Sequence, residues 1–275
     1  GGESLFQFNR FYAEWNLYGM DIGEHFAESV TEIRSVKAFF SSLKEVENTG
    51  VKFDLITINN TLSLADNPAQ ILKCVHNCLA EDGIFVIKDA DFEVHPWILY
   101  ELESSAFYTQ RHMENIIKKF GFEALHLDFE LEPKEIGVFC KKSSILQKME
   151  ENAYVLNKMI YDSKIGYLDN VIDTVGEYMK RNRNVGIWGT SIAGVWLSEI
   201  ITSQGLVCSG TNIFYIDEDE DSLQRKMGEN GYPIYRLEEV LEPAIVFLPF
   251  PRYIANHIKE RCEKRYTNLK FIVFE

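Results

Sequence analysis

The sequence is short of cysteine and of positive charge, and it has no long hydrophobic run. Its five cysteines, Cys74, Cys78, Cys140, Cys208 and Cys262, are odd in number, scattered and without a CxxC pair. That excludes a disulfide framework and a thiolate zinc site, and it points to reduced thiols in a cytoplasmic setting. Cys74, His76 and Cys78 lie two apart, and on a helix residues two apart face different ways, so the trio reads as no metal site. Lys plus Arg number 28 against 42 Asp plus Glu, a formal charge of −14. A field of that sign repels phosphate backbones and anionic lipid, so nucleic acid is not the expected partner. The longest apolar stretches are strand-sized, and no cationic start leads into an apolar segment, so the sequence reads without a membrane span or export signal.

What is present is globular in composition: 46% hydrophobic, 25% charged and 13% aromatic residues over 275 positions, which excludes disorder and collagen. That length exceeds what one core usually supports and predicts two domains of roughly 100–150 residues. Helical spacing of Leu5, Phe8, Phe11, Tyr12 and Trp15 follows a glycine pair. Strands are predicted at 17–20, 36–40, 53–59 and 84–88, with helices at about 24–33 and 68–79 between them. Strands alternating with helices imply an α/β fold with a parallel sheet. Helices follow at about 96–107 and 110–120, then a strand pair at 122–129 and 136–141. A charged helical stretch over 146–183 links the first domain, 1–145, to a smaller α/β domain over 184–275. There, strands are predicted at 184–188, 213–216, 244–248 and 270–275, and helices at 193–203 and 253–264.

In a doubly wound sheet the ligand sits outside the carboxyl ends of the strands, where glycine admits backbone and an acid takes ribose hydroxyls. Gly1, Gly2 and Asp21 fit that order, although Asp21 also stands where it could cap the next helix. The run FDLITINNTLSLADNPAQILKCVHNCLAEDGIFVIKD, beginning at Phe53, together with YGMDIG at 18–23 and FYTQRHMENIIKKFGFE at 107–123, resembles class I S-adenosylmethionine-dependent methyltransferases. The resemblance covers about 1–142. It implies a Rossmann-like methyltransferase sheet whose first strand, the middle one, is missing, and so a chain truncated at its N-terminus. It implies S-adenosylmethionine as the cofactor, with Asp21 on the ribose, Ile22 flanking adenine, Ser41 and Ser42 at the adenine edge, and Asn59 and Asn60 beside the methionine end. The adenine-edge position is often Asp in that family and is serine here.

The segments at 184–200, 214–234 and 247–262 are similar to the carboxyl-terminal Rossmann-like domain of sugar C-methyltransferases. Gly189, Ser191 and Gly194 hold the three positions of a GxGxxG turn, with Asp217 at the distance of a ribose acid. Serine at the middle position lets backbone approach a pyrophosphate less closely, which favours a structural or substrate-docking role over a bound dinucleotide. Those methyltransferases carry a Tyr-x-Glu-His type motif after the fifth strand, which 91–112 lacks. That stretch and the residues before it offer Asp89, Asp91, Glu93, His95, Tyr108 and His112, with His95 and His112 as the candidate bases. The expectation is a methyltransferase acting on a small molecule, a nucleotide-linked sugar. Its alternative is a non-catalytic methyltransferase-like binding or assembly module.

Overall fold

The computed structural model describes residues 2–23, 26–101, 103–128, 134–144, 153–225, 227–228 and 230–274. The chain forms two compact units, one of residues 1–88, 114–127 and 138–149, the other of 89–113, 128–137 and 150–275.

The first unit opens with α1 (Glu3–Phe11), then β1 (Leu17–Met20), α2 (Ala27–Thr31), β2 (Val36–Phe40), α3 (Leu43–Asn48), β3 (Phe53–Asn59), α4 (Pro68–Cys78) and β4 (Leu79–Ala90). After α5 (Gln110–Lys119), whose first four residues belong to the second unit, come β5 (Phe122–Asp128) and β6 (Glu135–Lys142), the ends of which also fall in the second unit. β1 and β2 pair in parallel as a two-stranded sheet, and β3, β4, β6 and β5 form a second sheet in that order. β3 and β4 run parallel from Leu55↔Ile84 to Asn59↔Lys88, and the register shifts between Phe53 and Leu55. Gly83 makes that shift possible, because a Cβ there would stand 2.9 Å from the Phe53 carbonyl oxygen. Pro68 in the first turn of α4 and the Asn67 side chain accepting from Gln70 N start that helix as its sequence predicts. Leu72, Val75, Leu79, Phe85 and Ile87 are buried, and Phe122 lies with its ring 5.1 Å from that of Phe85.

Three sequence expectations change here. The helix predicted through Trp15 ends at Phe11, and Tyr12 and Trp15 instead stack with ring centroids 4.4 Å apart. The strand expected at 84–88 begins at Leu79. The helix expected over 96–107 is a single 3-10 turn, Pro96–Tyr100. Pro96, Trp97 and Ile98 are all buried, and three consecutive inward residues do not fit one face of an α-helix. Residues 24 and 25, within the helix expected over 24–33, lie outside the described residues, as do 145–152 at the start of the expected linker.

The second unit carries α6 (Ala153–Met179), β7 (Asn184–Trp188), α7 (Ile192–Ser203), β8 (Asn212–Ile216), α8 (Glu220–Arg225), β9 (Ile234–Tyr235), β10 (Ala244–Leu248), α9 (Arg252–Glu263) and β11 (Leu269–Val273). Its sheet runs β11-β10-β7-β8-β9, every pair parallel. The first strand of this unit is therefore central and the chain winds outward both ways, leaving a switch point between β7 and β10. One face packs on Leu168, Val171 and Val175 of α6 and Leu197 and Ile201 of α7, and the other on Ala255, Ile258 and Cys262 of α9. Covering both faces explains why β10 reads AIVFL with every residue buried. No helix of the described residues is long and apolar enough to cross a membrane.

Candidate functional site

In the first unit, the strand ends converge on the first turn of α1. Gly2 caps that helix at φ 88°, a left-handed conformation that suits glycine, and a Cβ there would lie 2.8 Å from Val30. Leu5 packs on Gly19 of β1, where an added Cβ would meet its Cδ1 at 2.9 Å. Ser4 Oγ accepts from Asn59 Nδ2 at the end of β3, at 3.4 Å. The start of α1 thus touches the ends of both strands, and Ser4 is a contact that sequence reasoning did not single out. Gly1 lies outside the described residues.

Asp21 follows β1 directly, and its backbone N–H donates to Phe40 O, one residue before Ser41. Asp21 and Ser41 are therefore neighbours at the ends of paired strands. The Asp21 Oδ1 atom accepts from Gly23 N at 2.8 Å, closing a small turn, and Oδ2 has no partner among the described residues. Ile22 beside it is 86% exposed, so an apolar side chain stands uncovered next to a half-satisfied carboxylate. The serines are engaged elsewhere. Ser42 caps α3 by accepting from Glu45 N, and the Glu45 carboxylate returns to Ser41 N and Oγ. The Ser41 N–H is the main cause holding the Glu45 carboxyl below its ordinary range. This reciprocal cap gives both serines a local structural task. Asn60 takes a left-handed φ of 45° and donates its N–H to Lys88 O, which fixes the loop after β3.

In the second unit, the end of β4 and the residues after it gather polar groups in a dry setting. Asp89 is fully buried and Asp91 nearly so. Asp91 and Tyr108 form a parallel bridge, with Phe92 N donating to Tyr108 O. Burial pushes the Asp91 carboxyl up, against a hydrogen bond from Glu93 N. Burial, helped by the charge of Asp89, raises the Tyr108 phenol to about 12, so it remains a donor. Burial, helped by Lys134, lowers the His95 imidazole to about 4, and its Nδ1 is buried without a partner among the described residues. His95 is neutral at working pH but weakly basic. His112, in the first turn of α5, accepts at Nδ1 from Thr109, while its buried Nε2 has no partner among the described residues. Thr109 was not legible as a functional residue; the only signal was a hydroxyl three positions before a histidine.

The depressed His95 fixes the sign of a pH effect. The unfolded chain takes up this proton near 6.5 and the folded one near 4. Stability is therefore full above pH 6.5 and falls as the pH drops toward 4. Unfolding free energies of His95→Gln from denaturant titrations should fall less over that window, by on the order of 3 kcal/mol. Parallel curves for variant and wild type would refute the assignment. Asp91 works in the opposite sense and is common to both proteins.

The glycine turn after β7 is built as its spacing predicts. Gly189 sits at φ 91°, and a Cβ on Gly194 would fall 2.1 Å from Gly189 O, so the third glycine lets α7 press against the strand end. Ser191 starts α7 without a side-chain cap bond. Asp217, at the end of β8, accepts from Thr190 Oγ1 at 2.7 Å and Thr190 N at 3.1 Å through Oδ2, and from Asp219 N through Oδ1. Burial opposes its ionisation, but these donors prevail and hold it below the usual carboxylate range. The acid placed for a ribose is tied to its own loop. Phe250, after β10, lies against Gly189. No group of three or more His, Cys, Asp or Glu among the described residues is arranged to hold a metal ion, and the five cysteines are free thiols, four of them buried.

Residues 5–127 match a family model described as a methyltransferase domain. No curated protein matches the chain significantly. Among solved structures the chain is similar to LepI in complex with SAM, at 12% identity and a TM-score of 0.42, over 52% of this chain and 40% of that one. It is similar to N,N-8-amino-8-demethyl-D-riboflavin dimethyltransferase (RosA) from Streptomyces davawensis at 13% identity and 0.42, over 52% and 47%. A third is the plantazolicin methyltransferase BpumL in complex with SAH, at 13% identity and 0.44, over 52% and 73%. The chain spans less than half the length of LepI and RosA.

Proposed function

We propose that the chain is an S-adenosylmethionine-dependent methyltransferase acting on a small molecule, a nucleotide-linked sugar. The methyltransferase-domain match over 5–127 carries the reading, and the strand-end geometry of the first unit supports it. Gly2 and the first turn of α1 offer backbone N–H groups beside Asn59, Asp21 keeps Oδ2 for a ribose hydroxyl, and exposed Ile22 gives adenine an apolar face. Ser41 and Ser42 fit less well, because their hydroxyls serve the α3 cap.

Bound S-adenosylmethionine supplies an electrophilic methyl group, so the protein's own part is to position the acceptor and manage its proton. Tyr108 holds its proton, and His95 and His112 are the candidates to receive or hold one. The second unit, with Gly189, Ser191, Gly194 and Asp217 at its switch point, serves a structural or substrate-docking role. The alternative, a non-catalytic binding module, draws on the separation of the β1–β2 pair from the β3-containing sheet.

Calorimetric titration of the chain with S-adenosylhomocysteine tests the reading. Saturable heat is expected in the wild type, with affinity falling about tenfold or more in Asp21→Ala as a charge-assisted bond is lost. A flat wild-type titration rejects the methyltransferase. Binding that never accompanies transfer of a labelled methyl group to any nucleotide sugar favours the binding module.

A further inference from the structure

Glu45, which caps α3, also stands where the ends of β1 and β2 meet in the first unit. Asp21 N donates to the Phe40 carbonyl at 3.1 Å, and the N–H of that same peptide group, on Ser41, donates to Glu45 Oε2 at 3.0 Å. A trans peptide aims its C=O and N–H in opposite directions. Asp21 and the Glu45 carboxylate therefore flank the end of β2 on opposite sides. Two hydrogen bonds and one peptide group separate Asp21 N from Glu45 Oε2, a span of about 8 Å. One nucleoside reaches that far, from its ribose hydroxyls to the outer edge of its base. A carboxylate offers about four lone-pair sites. The Ser41 N–H and hydroxyl engage Glu45, and because the residue is exposed its remaining sites open to solvent. Asp21 Oδ2 is likewise without a partner among the described residues. Both ends of the span accept hydrogen bonds and neither side chain donates one, so a ligand lying across it must bring donors to both.

We infer that Glu45 is a specificity residue: it accepts from the exocyclic amine of the purine, so that the site takes 6-aminopurine nucleosides and turns away 6-oxopurines. The inference rests on the reading above, in which Asp21 takes the ribose. A 6-amino group donates, whereas a 6-oxo oxygen only accepts and would set lone pair against carboxylate. The acceptor comes from α3, four residues beyond Ser41, and the serines at the strand end hold that carboxylate and leave the base to it. The reciprocal cap fixes Glu45 before any ligand arrives, which lowers the cost of ordering it on binding.

Calorimetric titration of the full chain with S-adenosylhomocysteine and with S-inosylhomocysteine, its 6-oxo counterpart, tests the inference. Wild type should bind the amino compound about tenfold or more tightly, the worth of a charge-assisted bond. Glu45→Gln keeps an acceptor for the Ser41 N–H and adds an amide donor that suits the 6-oxo group, so the preference should fall to within about threefold. Equal wild-type affinities overturn the role of Glu45, whether or not the variant folds, and leave the methyltransferase reading standing. An unchanged preference in a Glu45→Gln chain with wild-type circular dichroism overturns it as well. Carbon-13 NMR reads the same contact without a substitution: the Glu45 carboxyl signal should move further with the amino compound than with the oxo compound, and equal movement overturns the assignment. Titrations flat with both compounds reject the cofactor reading itself, and the inference falls with it.

Discussion

Trp97→Ala is expected to destabilise the second unit by about 4 kcal/mol, the range seen when a large buried aromatic side chain is truncated. Trp97 is fully buried and its ring meets those of Trp196 at 5.4 Å, Phe274 at 6.1 Å and Tyr167 at 6.2 Å. The surrounding residues come from β11's end, α6 and α7, elements fixed by their own sheet and helix contacts, so they cannot collapse into the space. The indole Nε1 is buried and without a partner among the described residues, which means part of the native contact is already offset by an unmade hydrogen bond. Trp97→Phe keeps an aromatic ring and removes that donor, and it should cost about half as much. Urea unfolding followed by far-ultraviolet circular dichroism reads both. A loss below about 1 kcal/mol in the alanine variant would show that Trp97 is not the anchor of this core.

Gly194→Ala should cost about 3 kcal/mol, the upper part of the usual range for overpacking. The added Cβ would fall 2.1 Å from Gly189 O, a backbone atom held by Gly189 N donating to Ile216 O. The atom cannot swing aside as a flexible side chain would, so α7 must lift from the β7 end. Gly166→Ala is the control: it lies inside α6 with nothing within 4 Å. There alanine should stabilise by about 0.5–1 kcal/mol through helix propensity. The same unfolding assay should give opposite signs for the two glycines, and a neutral Gly194→Ala would contradict the packing derived for this turn.

Much of the second unit was readable from the chain because each strand is a short apolar run bounded by turn residues. Its glycine turn was readable because steric rules fix glycine at both Gly189 and Gly194. The first unit was readable where capping residues speak, as at Asn67 and Pro68. Sequence periodicity failed where aromatic residues had two ways to be buried. Tyr12 and Trp15 satisfy helical spacing, yet they stack on one another beyond the helix end. Pro96 to Phe107 looks amphipathic, yet Trp97 is drawn into a core whose other members lie over sixty residues along the chain. The site was legible as a list of strand-end residues and not as a set of bonds. Nothing in the order of letters shows that Glu45 claims Ser41, that Thr109 claims one nitrogen of His112, or that Thr190 claims Asp217. Such pairings are decided by angles and by which donors exclude water.

The last of these pairings has a kinetic side. Thr190 is tethered to Asp217 through the same chain, so it donates to the carboxylate at an effective molarity that no dissolved visitor attains. Any molecule that sought this acid would have to evict a resident neighbour and leave the Thr190 N–H stranded. The acid at the end of β8 is in that sense already let, its donors supplied from within its own loop.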